Sequence, residues 1–256
     1  MIELALAAVL AAALVGLSTL AGRRWGHEVA GLVGAFPLIV GPVLMLTAER
    51  EDAAAAARTA IGTLLGLVTL SGFALTYARS ATRWRWPASV TLGWVAAAAL
   101  GIVAGRTEVG LLGALAAATL SIALARAALP RQQEPAITAE LPRWELPARM
   151  ALTVALIVGL TIAGERLGPA VAGILAALPT LASVLAVFTH ARFGHDALVS
   201  MLRGMLSGLA GFVIFCALIA LLIVPAGVTA AFLIATAGAV LAQARAGQRA
   251  GSTATL

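Results

Sequence analysis

The chain has 256 residues, 61% of them hydrophobic and only 11% charged, where a soluble domain carries roughly 25% charged residues. A mean hydropathy of +1.02, with apolar runs of about 18–25 residues parted by short arginine-bearing breaks, excludes an ordinary soluble domain and points to transmembrane helices. The formal charge of +6 comes from arginines between the runs rather than from a basic stripe, so no nucleic-acid partner is expected, and the lone Cys216 excludes a disulfide framework.

Nine spans are read in chain order. Span 1, Ile2 to Leu20, has Glu3 where a signal peptide would be positive, and it is echoed later in the chain. It is therefore expected to be a structural helix, not a leader. Span 2, Glu28 to Ala48, carries Pro37 near its middle and Pro42 beyond it. Span 3 runs from Ala53 to Ala78, span 4 from Pro87 to Gly105, and span 5 from Val109 to Leu129. A polar, proline-rich connection follows, with Trp144 at its end. Span 6 is Pro147 to Ile162, span 7 is Pro169 to Thr189 with Pro179 in its middle, and span 8 is Asp196 to Val224. Span 9 begins at Pro225.

Spans 1 to 4 recur as spans 6 to 9. A shift of 142 residues lays Ala21–Pro37 on Ala163–Pro179 without a gap. The pairs Ala21/Ala163, Gly22/Gly164, Arg24/Arg166, Gly26/Gly168, Val29/Val171, Ala30/Ala172, Gly31/Gly173, Ala35/Ala177 and Pro37/Pro179 are identical. Further on, Thr47/Thr189 and Arg50/Arg192 match as well. A shared framework of glycine, arginine and proline in one register marks an internal repeat. Because span 6 lies five spans after span 1, the two units are expected to cross in opposite directions, related by an axis in the membrane plane. The expected fold is thus an all-α integral membrane protein of nine transmembrane helices. Residues 1–105 form the first inverted repeat, residues 106–146 hold the connecting span 5 and a linker, and residues 147–256 form the second repeat.

The arginines fall unevenly about the spans. Arg50, Arg58, Arg106 and Arg166 belong to one side and twelve others to the opposite side, Arg203 lying inside span 8. The excess marks the cytoplasmic face, which puts the N-terminus outside and the C-terminus in the cytoplasm of a bacterial inner membrane. Trp25, Trp84, Trp86 and Trp144 fall on the same inner side, at the level of an aromatic belt.

Proline within a membrane helix removes a backbone hydrogen bond and leaves a carbonyl that must find another partner. Paired interruptions in inverted repeats point to a binding site near the midplane. Pro37 and Pro179 are therefore the centre of the expected site, with Thr180 and Ser183 as the nearest polar groups. Arg58 and Arg203 lie inside spans 3 and 8 at nearly matched positions and suit a phosphate or carboxylate, because guanidinium binds both bidentately. Arg50 and Arg192 end the broken spans, where a cation also complements a helix dipole. No Asp or Glu falls at a span centre, so coupling through a buried carboxylate is not expected; Glu28, at the start of span 2, is the one acid placed to reach a cytoplasmic cavity. His27, His190 and His195 read as scattered, so neither a metal nor another cofactor is expected. No nucleophile–base pair is present, hence no catalytic residue. Gly62 and Gly66, matched by Gly204 and Gly208, are expected to bring spans 3 and 8 together.

The second unit resembles the GlpM-type small bacterial membrane proteins. Gly168, Pro169, Ala172, Gly173, Pro179 and Thr180 carry the resemblance; in the first unit Gly26, Ala30, Gly31 and Pro37 follow it, with His27 and Leu38 replacing the first proline and the threonine. The resemblance implies a doubled version of a four-helix unit, and small relatives that pair as antiparallel dimers. A homodimer is accordingly a possible assembly of this chain. Together these features lead to an expected secondary transporter or lipid flippase, not an enzyme, whose partners are membrane lipids and an anionic, lipid-like substrate. The alternatives are a non-transporting membrane scaffold and a passive channel.

Overall fold

A computed structural model describes residues 2–130, 142, 144–167, 175 and 178–252. Among the described residues the chain is entirely helical: α1 (Ile2–Trp25), α2 (His27–Gly34), α3 (Val40–Arg50), α4 (Ala53–Ser80), α5 (Trp86–Ala104), α6 (Leu111–Ala128), α7 (Glu145–Leu167), α8 (Thr180–Ala226) and α9 (Val228–Ser252). Seven of these are long and apolar enough to cross a membrane, which makes this a multi-pass helical membrane protein. The short α2 and α3 are the two halves of span 2, separated at Pro37. The first half of span 7, with Gly168, Pro169, Ala172 and Gly173, lies outside the described residues.

Span boundaries shift at several places. α1 continues to Trp25 and α7 begins at Glu145, each longer than the apolar run, because polar residues at helix ends still close backbone hydrogen bonds. Pro225 does not open the last helix; it lies in the final turn of α8, and Gly227 makes the turn into α9. The second half of span 7 and all of span 8 merge into the 47 residues of α8, about 70 Å if straight. It is not straight. Gly194 has φ 80° and ψ −169°, and the hydroxyl of Thr189 reaches Met201 Sδ at 3.5 Å, where twelve residues of continuous helix would hold them about 18 Å apart. The chain therefore doubles back at Gly194 into two limbs.

Gly26 and Gly227 make the same kind of one-residue connection, with φ 92° and 80°. Paired with extended ψ, this conformation is essentially closed to residues bearing a Cβ. Gly194→Ala is expected to lower stability by about 1–3 kcal/mol, although the space around Gly194 would admit the methyl group. Thermal unfolding in detergent checks this; an unchanged midpoint would mean that the turn is not held in this conformation.

The core lies between α4 and the second limb of α8, where Leu64, Phe73, Tyr77, Leu198, Leu202, Leu206 and Leu209 are fully buried. Outer helices present apolar side chains outward, among them Leu112 at 82% and Leu233 at 68% exposure, as lipid contact requires. α1 and α7 run antiparallel: a methyl built on Gly16 would touch Met150 Sδ at 3.6 Å, and Arg23 at the far end of α1 acts electrostatically on Arg149 near the start of α7.

The small residues do their packing elsewhere than expected. Gly204 and Gly208 lie against α2, not α4, with Gly204 under the Glu28 carbonyl and Gly208 under Leu32 and Ala35. From the other side Gly31 lies against the backbone of Met201 and Met205. Helices without Cβ atoms at their crossing approach to backbone contact, which is how α2 and α8 come to share a seam.

Candidate functional site

Both breaks follow from the same chemistry. Proline has no N–H, so the helix before it loses its last hydrogen bonds and the chain must turn before a new helix starts. At Pro37, Leu38 N donates to Phe36 O at 2.8 Å, Phe36 N donates to Val33 O at 3.1 Å, and Gly41 N donates to Pro37 O at 3.3 Å. At Pro179, Thr180 N donates to Leu178 O at 2.8 Å, Leu178 N donates to Leu175 O at 3.2 Å, and Ser183 N donates to Pro179 O at 2.8 Å. All three bonds correspond at a shift of 142 residues. Each break is a tight turn centred on proline; Pro179, at φ −79° and ψ 71°, has the dihedrals of an inverse γ-turn.

The two turns open on one cavity of about 370 Å³. Phe36 and Pro37 line it from one side, Leu178, Pro179 and Thr180 from another, with Thr63, Gly66 and Thr69 of α4 and Met205 of α8 completing the wall. Ile39 and Val40 at the start of α3, and Leu181 and Ala182 at the start of α8, also face it. The first N–H groups of a helix have no partner within it. Those of Ile39, Val40 and Ala182 make no hydrogen bond among the described residues. Two helix N-termini, each with a partial positive charge, thus meet at one cavity. Its threonines differ: Thr63 and Thr69 donate to carbonyls of their own helix, whereas Thr180 makes no side-chain hydrogen bond among the described residues.

Ser183 sits one turn behind the cavity. Its hydroxyl donates to Pro179 O at 2.7 Å and accepts from Trp94 Nε1 at 2.7 Å. Trp94, in the middle of α5, is thereby tied to the second break. The first break is held differently: Gln243 of α9 donates to Leu32 O, a carbonyl at the end of α2. Trp94 had a legible signal, since a tryptophan far from either span end must find an acceptor for its indole N–H. Gln243 had none beyond being an amide in an apolar stretch.

The charged residues expected at the site do not reach the cavity. Arg50 ends α3 and lines a separate hollow with Thr47 and Glu51. Arg58 lies on an exposed face near the start of α4. Arg192 Nε donates to Glu145 Oε2 at 3.3 Å, and its guanidinium lies 5.9 Å from the Trp144 ring centre. Arg203 reaches Pro130 O at 3.4 Å, where a cation complements the end of α6, and it is also the nearer of two arginines acting on Glu28. Glu28, in the first turn of α2, is half-buried.

Two clusters were not foreseen. Glu145, the first residue of α7, is fully buried and pairs with Arg149, which is 4% exposed and lies 5.1 Å from the Phe188 ring centre. The histidines are not scattered but gather about the Gly194 turn. His27 packs on Phe193 at 4.6 Å, His190 on Tyr77 at 5.8 Å, and His195 Nδ1 lies 3.4 Å from Asp196. A hairpin brings together residues that a straight chain would separate. No group of three metal-ligating side chains forms among the described residues.

Set against protein-family models, curated proteins and solved structures, the chain matches none of them.

Proposed function

We propose that this chain is a secondary transporter or lipid flippase that moves an anionic, amphiphilic substrate by alternating access. The observation that carries the reading is that both proline breaks, with the same three backbone hydrogen bonds, open on one cavity. The matched bonds and the antiparallel course of α1 and α7 support two inverted units of one ancestral design, of the kind the GlpM-type resemblance implies. Apposed N-termini of α3 and α8 favour a phosphate or carboxylate over a cation. The apolar lining favours a substrate with a greasy part. Alternating access would rock one unit against the other about the breaks, in a bacterial cytoplasmic membrane with the C-terminus inside. For an anion the membrane potential contributes about 2.3 kcal/mol per charge per 100 mV and drives outward movement when the inside is negative.

The test is lipid movement in proteoliposomes, with a fluorescent phosphatidylglycerol as the anionic probe and a fluorescent phosphatidylcholine as the neutral comparison. The wild type is expected to move the anionic probe at least about tenfold faster than protein-free vesicles do, a difference of about 1.4 kcal/mol in barrier. Thr180→Trp, which fills the cavity, should return the rate to background while the protein still purifies folded. A wild-type rate equal to that of protein-free vesicles, for both probes, would remove transport and leave a scaffold.

A further inference from the structure

A second cavity lies on the other side of the Phe36–Pro37 turn. It measures about 450 Å³ and is lined by Leu6 and Leu10 of α1, Pro42 and Met45 of α3, Phe215 of α8 and Phe232 of α9. Its surface is almost wholly apolar apart from Glu49 at the end of α3 and Thr236. A smaller hollow of about 170 Å³ shares Leu6, Leu10, Pro42 and Leu46 with it and adds Thr47, Arg50 and Glu51. The two form one groove with an apolar body and a charged mouth. The flanking helices α1 and α9 make no extended contact with each other, so nothing in the bundle closes it between them.

We propose that this groove binds one phospholipid of the surrounding leaflet, and that the lipid carries a phosphoethanolamine head group. Length is the first argument. The groove follows α3 from the proline break to its end, and the 11 residues of α3 rise about 16 Å. One leaflet of hydrocarbon is about 15 Å deep, so the groove matches a single acyl chain from head to tail. Charge is the second. The mouth carries one guanidinium, Arg50, between two carboxylates, Glu49 and Glu51. A phosphate takes a guanidinium bidentately, and an ammonium takes carboxylates. Phosphoethanolamine supplies both, whereas an anionic phosphatidylglycerol would set its charge beside two acids without an amine to answer them. This lipid site goes beyond the transport proposal and stands whether or not the central cavity moves a substrate. Its tail would lie against the reverse face of Phe36 and Pro37, whose other face lines the central cavity.

Native mass spectrometry of the full chain tests this, with phosphatidylethanolamine and phosphatidylglycerol of identical acyl chains supplied at equal mole fraction. The wild type should retain the ethanolamine lipid about tenfold over the glycerol lipid, as expected for one added charge-assisted contact. Leu10→Trp, in the shared wall of both hollows, should lose that retention, while Leu112→Trp on the outer face of α6 should keep it. Glu49→Gln with Glu51→Gln changes only exposed side chains, so folding is unaffected, and it should abolish the preference between the two lipids. Equal retention of both lipids by the wild type, or an unchanged preference in the double glutamine variant, overturns the proposal. Neither result bears on transport through the central cavity, which the Thr180→Trp assay reads separately.

Discussion

Glu145→Ala is expected to destabilise the protein by about 3–5 kcal/mol, because it strands a buried cation. Glu145 has no exposed surface and Arg149 only 4%, so neither charge has water to fall back on. Glu145 Oε1 takes the Arg149 guanidinium one helical turn away, and Oε2 takes Arg192. Without the carboxylate, Arg149 keeps only the Phe188 face, and a cation over an aromatic ring is worth about 2 kcal/mol at most in a desolvated site. Unfolding in detergent followed by circular dichroism measures the loss. Pairing Glu145→Ala with Arg149→Met should recover most of it, since an apolar residue of similar volume costs little where an ion pair stood. If the double variant is no more stable than Glu145→Ala alone, the ion pair is not the cause. Arg192→Ala should cost less than about 1 kcal/mol, because that side chain is 39% exposed and its pairing is screened.

Gly204→Ala should cost about 1–3 kcal/mol and separate α2 from α8, since the new methyl group meets backbone and not a yielding side chain. A Cβ at Gly204 would stand on the Glu28 carbonyl, with Glu28 Cα at 2.9 Å. One at Gly31 would stand on the Met201 carbonyl, with Met205 N at 2.7 Å. Replacing glycine by alanine in a helix ordinarily gains about 0.5–1 kcal/mol, so overlap must first cancel that gain. Gly159→Ala, on the exposed face of α7 with nothing near it among the described residues, is the matched control and should raise the midpoint. The experiment compares thermal midpoints of the three proteins. A Gly204→Ala variant as stable as Gly159→Ala would show that the two helices do not touch there. Because Glu28 and the Pro37 break lie on the same short helix, the variant should also shift the central cavity, and lipid movement should slow with it.

The sequence by itself determined whatever depends on composition and on proline. Apolar runs of membrane length must be helices, since lipid offers backbone groups no other partner. Pro37 and Pro179 must interrupt theirs, since neither has an N–H to give. The recurrence at a shift of 142 residues placed the two breaks in correspondence, and their hydrogen bonds do correspond. Pro37, Pro179 and Thr180 were legible as a cluster for that reason. Only the tertiary structure decided which helices pack together and which charges are engaged. Gly204 and Gly208 announced a close approach but not its partner, because a glycine pair fits any smooth helix face, and the chain's path chose α2. Arg203 inside an apolar run looked available to a substrate, yet a long flexible side chain can reach Pro130 O at the end of another helix. Glu145 looked like a linker acid because its neighbours are polar and proline-rich; two arginines, one of them 47 residues away in sequence, make its burial tolerable. The clustering of His190 with Tyr77 likewise waited on the reversal at Gly194. Local rules specify helices and their interruptions because those depend on neighbours in sequence, whereas partners for polar groups are found across space, and the folded chain alone brings them within reach.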